Sequence, residues 1–199
     1  MRILLVGATG TIGSAVEREL GPRHDIIKAG RSSGDVIVDL MSTDSIRAMY
    51  AKVGKVDAVI ATAGHAHFGP LVSMTNDQFM VGLNDKLMGQ VNLVLLGIEH
   101  VNDAGSFTLT SGMLDRDPVR LGANAATVNA AIGGFVGAAC LEMPRGIRIN
   151  VISPGVLEES AAKYAGFFAG HIPVSSKHVG MAYAKSVEGA LTGKVMIVD

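Results

Sequence analysis

Residues 7–13 read GATGTIG, directly after the apolar run RILLV (2–6) and directly before a stretch of helical period at 12–20. Three glycines at this spacing are weak evidence alone. Between a first strand and a first helix they carry more, because a tight turn there leads into a helix whose free N–H groups and dipole favour a pyrophosphate, and glycine lets the backbone approach it. The turn therefore predicts a dinucleotide site built from Gly7, Thr9, Gly10, Thr11, Ile12 and Gly13. A strand-to-helix turn with no ligand is the plain alternative.

Beyond the turn, apolar β-rich segments recur at 25–29, 35–39, 56–61, 106–110, 147–152 and 194–199. Between most of them lie stretches of helical period at 43–53, about 75–98, about 123–143 and 176–188. This alternation predicts one α/β domain over 1–199, a doubly wound (Rossmann) fold with a seven-stranded parallel sheet flanked by helices. Such sheets bind ligands at the carboxyl ends of their strands, here after the first, fourth, fifth and sixth. The irregular segment 154–176 follows the sixth of these, where a substrate lid or an ordinary connection would sit.

Composition points the same way. Apolar residues make up 48% of the 199-residue chain and charged ones 18%, as a sheet buried on both faces requires. Seventeen Lys and Arg against 18 Asp and Glu leave no field to draw nucleic acid or an anionic membrane, so a small-molecule partner is expected. Cys140 is the only cysteine, and the apolar run VNLVLLGI (91–98) falls far short of the roughly 20 residues that span a bilayer. With no leader pattern ahead of RILLV, the expected location is cytoplasmic.

The end of the second strand selects the cofactor, since an acid there holds a ribose 2′-hydroxyl whereas an arginine meets a 2′-phosphate. The chain reads AGRSS (29–33), with Arg31 and Ser32 and no acid, which predicts NADP(H) over NAD(H). A solvated loop cation is the other reading of Arg31.

GATGTIG, Asp39 ending the third strand, ATAG (61–64), TSG (110–112), RGIRINVISPG (145–155) and LTGKVMIVD (191–199) together resemble the short-chain dehydrogenase/reductase family over essentially the whole chain. The resemblance implies that Asp39 and Leu40 flank the adenine, that Ala63 and Gly64 line the floor of the cofactor cleft, and that Pro154, Gly155 and Val156 contact the nicotinamide end.

The family's chemistry usually rests on Tyr-x-x-x-Lys in the helix after the fifth strand, completed by a Ser and an Asn. Aligned on the downstream GF (134–135) and RGIRIN (145–150), this chain has Ala125 for the tyrosine and Asn129 for the lysine. Ser111 lies 14 residues before Ala125, and the usual spacing favours its neighbour Gly112. KLMGQ (86–90) puts Lys86 in the place of the asparagine; reading Asn84 there requires a local shift. Alanine has no proton to give and an amide has no charge, so the resemblance implies a non-standard active site.

Lys86 is the leading replacement donor, against a solvated helix lysine beside Asp85. His65 and His67 follow ATAG at the cleft mouth, where a polar loop would also explain them. Asp115, Arg116 and Arg120 are loop charges that could touch a substrate, and Tyr164 is the one tyrosine in the 154–176 segment. The catalytic candidates are thus Lys86, Ser111, Asn129 and His67. The remaining histidines are scattered without ligand spacing, so no metal is expected. The helices at about 75–98 and 123–143 carry small and apolar residues over more than one face, which predicts a homodimer or homotetramer. Two functions remain: an NADP(H)-dependent oxidoreductase of a small carbonyl or alcohol, or a catalytically silent NADP(H)-binding sensor or assembly protein.

Overall fold

The computed structural model describes all 199 residues. Seven strands, β1 (Arg2–Val6), β2 (Asp25–Gly30), β3 (Val36–Ile37), β4 (Val56–Ala61), β5 (Val101–Thr110), β6 (Arg148–Pro154) and β7 (Val195–Val198), form one sheet. All pairs are parallel and the spatial order is β3-β2-β1-β4-β5-β6-β7. The chain runs outward from β1 to β3, then crosses back to β4 on the other side of β1. The crevice at the carboxyl ends of β1 and β4 is therefore the switch point where such sheets bind ligands.

Helices α1 (Thr11–Leu20) and α7 (Ser176–Glu188) cover one face, enclosing a core that includes Ile3, Leu5, Val16 and Tyr183. On the other face α2 (Thr43–Val53), α4 (Gly89–Gly97) and α5 (Ala123–Ala139) enclose the larger core of Leu4, Val6, Tyr50, Leu93, Phe107 and Val128. Successive residues of β1 thus alternate between two cores, which is why the strand reads as an unbroken apolar run. Tyr50 reaches across to donate to the Leu93 carbonyl at 2.7 Å, and Gly97 leaves the room its ring needs.

Three elements depart from expectation. The helix expected over 75–98 opens with a capping box at Thr75 and Gln78, runs as α3 (Asn76–Gly82), widens into a π-helical turn at Leu83–Met88 and resumes as α4. The helix expected over 123–143 stops at Ala139, and the chain then tightens into turns in which the Leu141 and Glu142 N–H groups donate to the Ala138 and Ala139 carbonyls, ahead of Pro144. Strand β5 begins at Val101 rather than 106, but residues 102–105 bulge away from β4, whose Val56 and Ala58 pair with Val101 and Ser106. No helix is long and apolar enough to cross a membrane.

The glycine turn locks α1 onto β1. A Cβ at Gly13 would lie 2.7 Å from Ala8 Cα and closer still to the Gly7 carbonyl, so only glycine lets the helix leave the strand at this angle. Gly13→Ala should cost about 2 kcal/mol or more in urea unfolding. Gly134→Ala, on an exposed helix position with nothing within 4 Å of the new methyl, should be neutral or stabilising by up to about 1 kcal/mol. Equal effects at the two positions would contradict this account of the turn.

Candidate functional site

At the carboxyl ends of β1, β2 and β4 lies a recess of about 280 Å³, lined by Gly7, Thr9, Gly10, Arg31, Leu40 and Ala63 among others. Gly7 adopts φ +87°, and a side chain there would meet the Ala63 nitrogen at 2.9 Å. Gly10 is the N-cap of α1 and brings no side chain, so the N–H groups of Thr11, Ile12 and Gly13 have no partner within the helix and face outward at its positive end. A cradle that a Cβ would fill, closed by free donors, fits a pyrophosphate.

Arg31 lines this recess, whereas Ser32 and Asp39 do not; Val38 and Leu40 line it on either side of Asp39. The Asp39 carboxylate instead accepts from the Met41 N–H at 3.1 Å and from Arg31 Nη2 at 3.2 Å. These two bonds, the backbone one first, hold its carboxyl below the usual range. The sequence shows no acid beside Arg31, and folding supplies one from eight residues on. Both partners are about half exposed, so the pair is weak and open to exchange.

A second cleft, of about 380 Å³, adjoins the first through Gly64 and His65. Lys86, Ser111, Ala125, Asn129, Pro154, Gly155 and Val156 all line it, so the structure brings together most of the residues singled out in the sequence. The π turn carries Asp85 towards the first recess and Lys86 towards the second. Gly64, at φ +132°, permits this: a Cβ there would lie 2.8 Å from Lys86 Cα.

Lys86 Nζ donates to Asn129 Oδ1 at 2.7 Å and to the Ser111 carbonyl at 2.9 Å. Two of the three ammonium protons are thereby fixed and one is left for the cleft. Loss of hydration pushes the amine down to about 8, against an opposing pull from the Asp115 carboxylate. The ammonium is thus a well-held group near the pKa suited to proton transfer. Helix α5, from which Ala125 and Asn129 face the cleft, carries neither Tyr nor Lys.

Ser111 contributes its carbonyl and not its hydroxyl; Oγ is buried and turned to the Ile152 carbonyl, 3.5 Å away. His67 does not line either cleft: its backbone N–H is held at 2.8 Å by Asn124 Oδ1, and its ring lies against Gly69. His65 takes that place at the mouth, with Nδ1 3.2 Å from Asp85 Oδ2. Of the tyrosines, Tyr50 and Tyr183 are fully buried and their phenols pushed up, so only Tyr164 reaches the cleft. Arg116 is engaged by Ser153 Oγ at 2.6 Å and by Asp199, outside the cleft lining.

Sequence reading missed Gln90. This fully buried amide donates to the Thr110 carbonyl at 2.9 Å and to the Lys86 carbonyl at 3.2 Å, and accepts from the Thr110 N–H at 2.8 Å. It ties the π turn to the end of β5, whose next residue holds the Lys86 ammonium. An amide inside the apolar stretch at 89–97 is the signal that could have found it.

The segment after β6 walls the second cleft through Gly155, Val156, Tyr164 and Phe168 and does not reach the first. Its neck is zipped by Val174 N–H to the Val156 carbonyl (2.8 Å) and Glu158 N–H to the Val174 carbonyl (3.0 Å). Between these lies α6 (Glu158–Tyr164), followed by Phe167, which packs edge-on against Phe68 with ring centres 6.0 Å apart. No group of three or more metal-ligating side chains comes together in the molecule.

A family model described as enoyl-(acyl carrier protein) reductase matches residues 14–187. No curated protein matches the sequence. Among solved structures, the protein lin1944 from Listeria innocua is 52% identical, with 100% of each chain covered and a TM-score of 0.99. A small-chain dehydrogenase in complex with NADPH is 28% identical over 100% of this chain and 96% of its own, with a TM-score of 0.88. An actinorhodin polyketide ketoreductase variant with NADPH shares 19% identity and the fold, over 99% and 95% of the two chains at a TM-score of 0.86. With its parallel seven-stranded sheet and a family match over residues 14–187, this chain belongs to the short-chain dehydrogenase/reductase family.

Proposed function

We propose that the protein is an NADP(H)-dependent oxidoreductase acting on a small carbonyl or alcohol, with Lys86 in place of the family's usual acid. The observation that carries this reading is the Lys86 ammonium, fixed by Asn129 and Ser111 with one proton free towards a cleft that continues into the glycine turn. When bound, the nicotinamide supplies or accepts a hydride. The glycine turn and the α1 N-terminus hold the pyrophosphate, Arg31 exchanges Asp39 for the 2′-phosphate, and Val156 and Gly155 seat the nicotinamide end. Lys86 stabilises the oxyanion that forms on reduction and then protonates it. The catalytically silent reading is favoured by one observation, the absence of Tyr and Lys from α5.

NADPH should bind at least tenfold more tightly than NADH by calorimetry, and Arg31→Ala should remove most of the difference. Equal affinities in the wild type would contradict the assignment of Arg31.

Below about pH 8 Lys86 carries the proton it must donate, so reductive turnover should fall as pH rises through that value. Stability moves the opposite way. Between about 8 and the ordinary lysine value of 10.5 the unfolded chain holds a proton that the folded chain does not, so raising the pH through this window stabilises the fold. Thermal unfolding should show this rise in the wild type and not in Lys86→Met. A pH-independent difference between the two proteins would refute the shifted amine, and turnover that persists unchanged in Lys86→Met would refute its role.

We further infer a homodimer or homotetramer. Leu95 on α4 and Leu141 just beyond α5 are 58% and 84% exposed, apolar surface that a second copy of the chain would cover. Light scattering at micromolar concentration should give an even-numbered assembly; a monomer would refute it.

A further inference from the structure

The substrate end of the cleft has an unusual combination of walls and donors. Its lining is aromatic on two sides, with Phe68 from the loop after β4 and Tyr164 and Phe168 from the segment after β6. Ala125 leaves open the space that a larger α5 side chain would fill, and the Ser111 hydroxyl is turned away to Ile152. The floor holds a single ammonium with a single free proton. A flat conjugated ring fits between such walls, since aromatic faces pack at low entropic cost.

The donor set adds a chemical constraint. Reducing a plain ketone builds an alkoxide about as basic as hydroxide, and such a step leans heavily on a strong, well-placed acid. Reducing a quinone instead leaves a phenolate, whose conjugate acid lies near 10. One ammonium suffices for that oxyanion, both as counter-charge and as proton source.

We propose that this cleft takes a flat conjugated diketone of the quinone type and that Lys86 holds the phenolate oxygen of its reduced form. This rests on the nicotinamide reading above. A hydride from the bound reduced nicotinamide would form an O–H bond at one quinone oxygen as its C–H bond breaks, leaving the charge on the other oxygen as a hydroquinone monoanion. The Lys86 N–H bond then breaks as the second O–H bond forms, and the amine regains a proton from water. In sum, quinone, NADPH and one proton give hydroquinone and NADP⁺. Asn129 and Gln90 act as positioning residues, the first through the ammonium and the second through the Lys86 carbonyl.

The test reads the oxyanion site without turnover. Protein loaded with NADP⁺, its binding confirmed by calorimetry, is titrated with 4-nitrophenol and the bound phenolate is followed by its absorbance. The bound phenol should ionise at least one pH unit lower than in free solution, and Lys86→Met and Lys86→Gln should both lose that shift. A parallel assay with NADPH should reduce 2-methyl-1,4-naphthoquinone at least 100-fold faster than acetophenone. The triple exchange Ala125→Tyr, Asn129→Lys and Lys86→Asn, which moves the cation to α5 without setting two lysines side by side, should narrow that ratio. No ionisation shift in the wild type, a shift lost in Tyr164→Phe and kept in Lys86→Met, or ketones reduced as fast as the quinone would each overturn the proposal while leaving cofactor binding intact. Failure of NADP⁺ to bind would instead overturn the reading on which it rests.

Discussion

The site depends on one interaction, the ammonium of Lys86 held between the Asn129 amide oxygen and the Ser111 carbonyl. A charge taken out of water is costly unless it is hydrogen-bonded, so neither acceptor can be removed without leaving the other groups in a worse environment. Several features of the surrounding chain follow from this. The π turn aims the lysine, Gly64 gives its stem room, and Gln90 fastens its carbonyl to the end of β5. Asp115 supplies the counter-field that keeps the amine from losing its proton below about 8. The pair Lys86 and Asn129 reads as a reciprocal exchange: an amide on α5 and a cation on the opposite wall, where the family resemblance implies the reverse. Restoring the α5 half alone, Asn129→Lys, would crowd two ammonium groups, and restoring the other alone, Lys86→Asn, would leave the pair with no cation.

Much of the fold was legible because it rests on short-range rules. The turn at Gly7, Gly10 and Gly13 could be placed from its neighbours, and the central strands β1, β4 and β6 were found as apolar runs because both of their faces are covered, whereas SFTLT at 106–110 alternates with its Ser and Thr buried. Lys86, Asn129 and Ala125 were legible as a group through family spacing, and the cleft does bring them together. What escaped the sequence is set by long-range geometry. No local pattern marks a π turn inside an amphipathic run, and Asp39 meets Arg31 only because β2 and β3 lie side by side. His65 and His67 are two residues apart and equally plausible as letters; the Asn124 amide takes the backbone of one and leaves the other at the mouth. The direction of the Ser111 hydroxyl depends on the neighbouring strand β6.

The same logic separates binding from chemistry. The glycine turn is fixed by backbone contact, which tolerates almost no substitution at Gly13, whereas the proposed acid sits on side chains that can be relocated so long as one proton reaches the same point in space. The Arg31–Asp39 pair stands between these cases, being exposed and weak, which supports the proposal that a phosphate dianion displaces Asp39. The most direct test of the account is a crystal structure of the protein with NADP⁺ and a phenol. The account predicts the 2′-phosphate on Arg31 with Asp39 displaced, the pyrophosphate on the α1 N-terminus, and the phenol oxygen within hydrogen-bond distance of Lys86 Nζ; a nicotinamide excluded from the cleft, or a phenol bound away from Lys86, would contradict it.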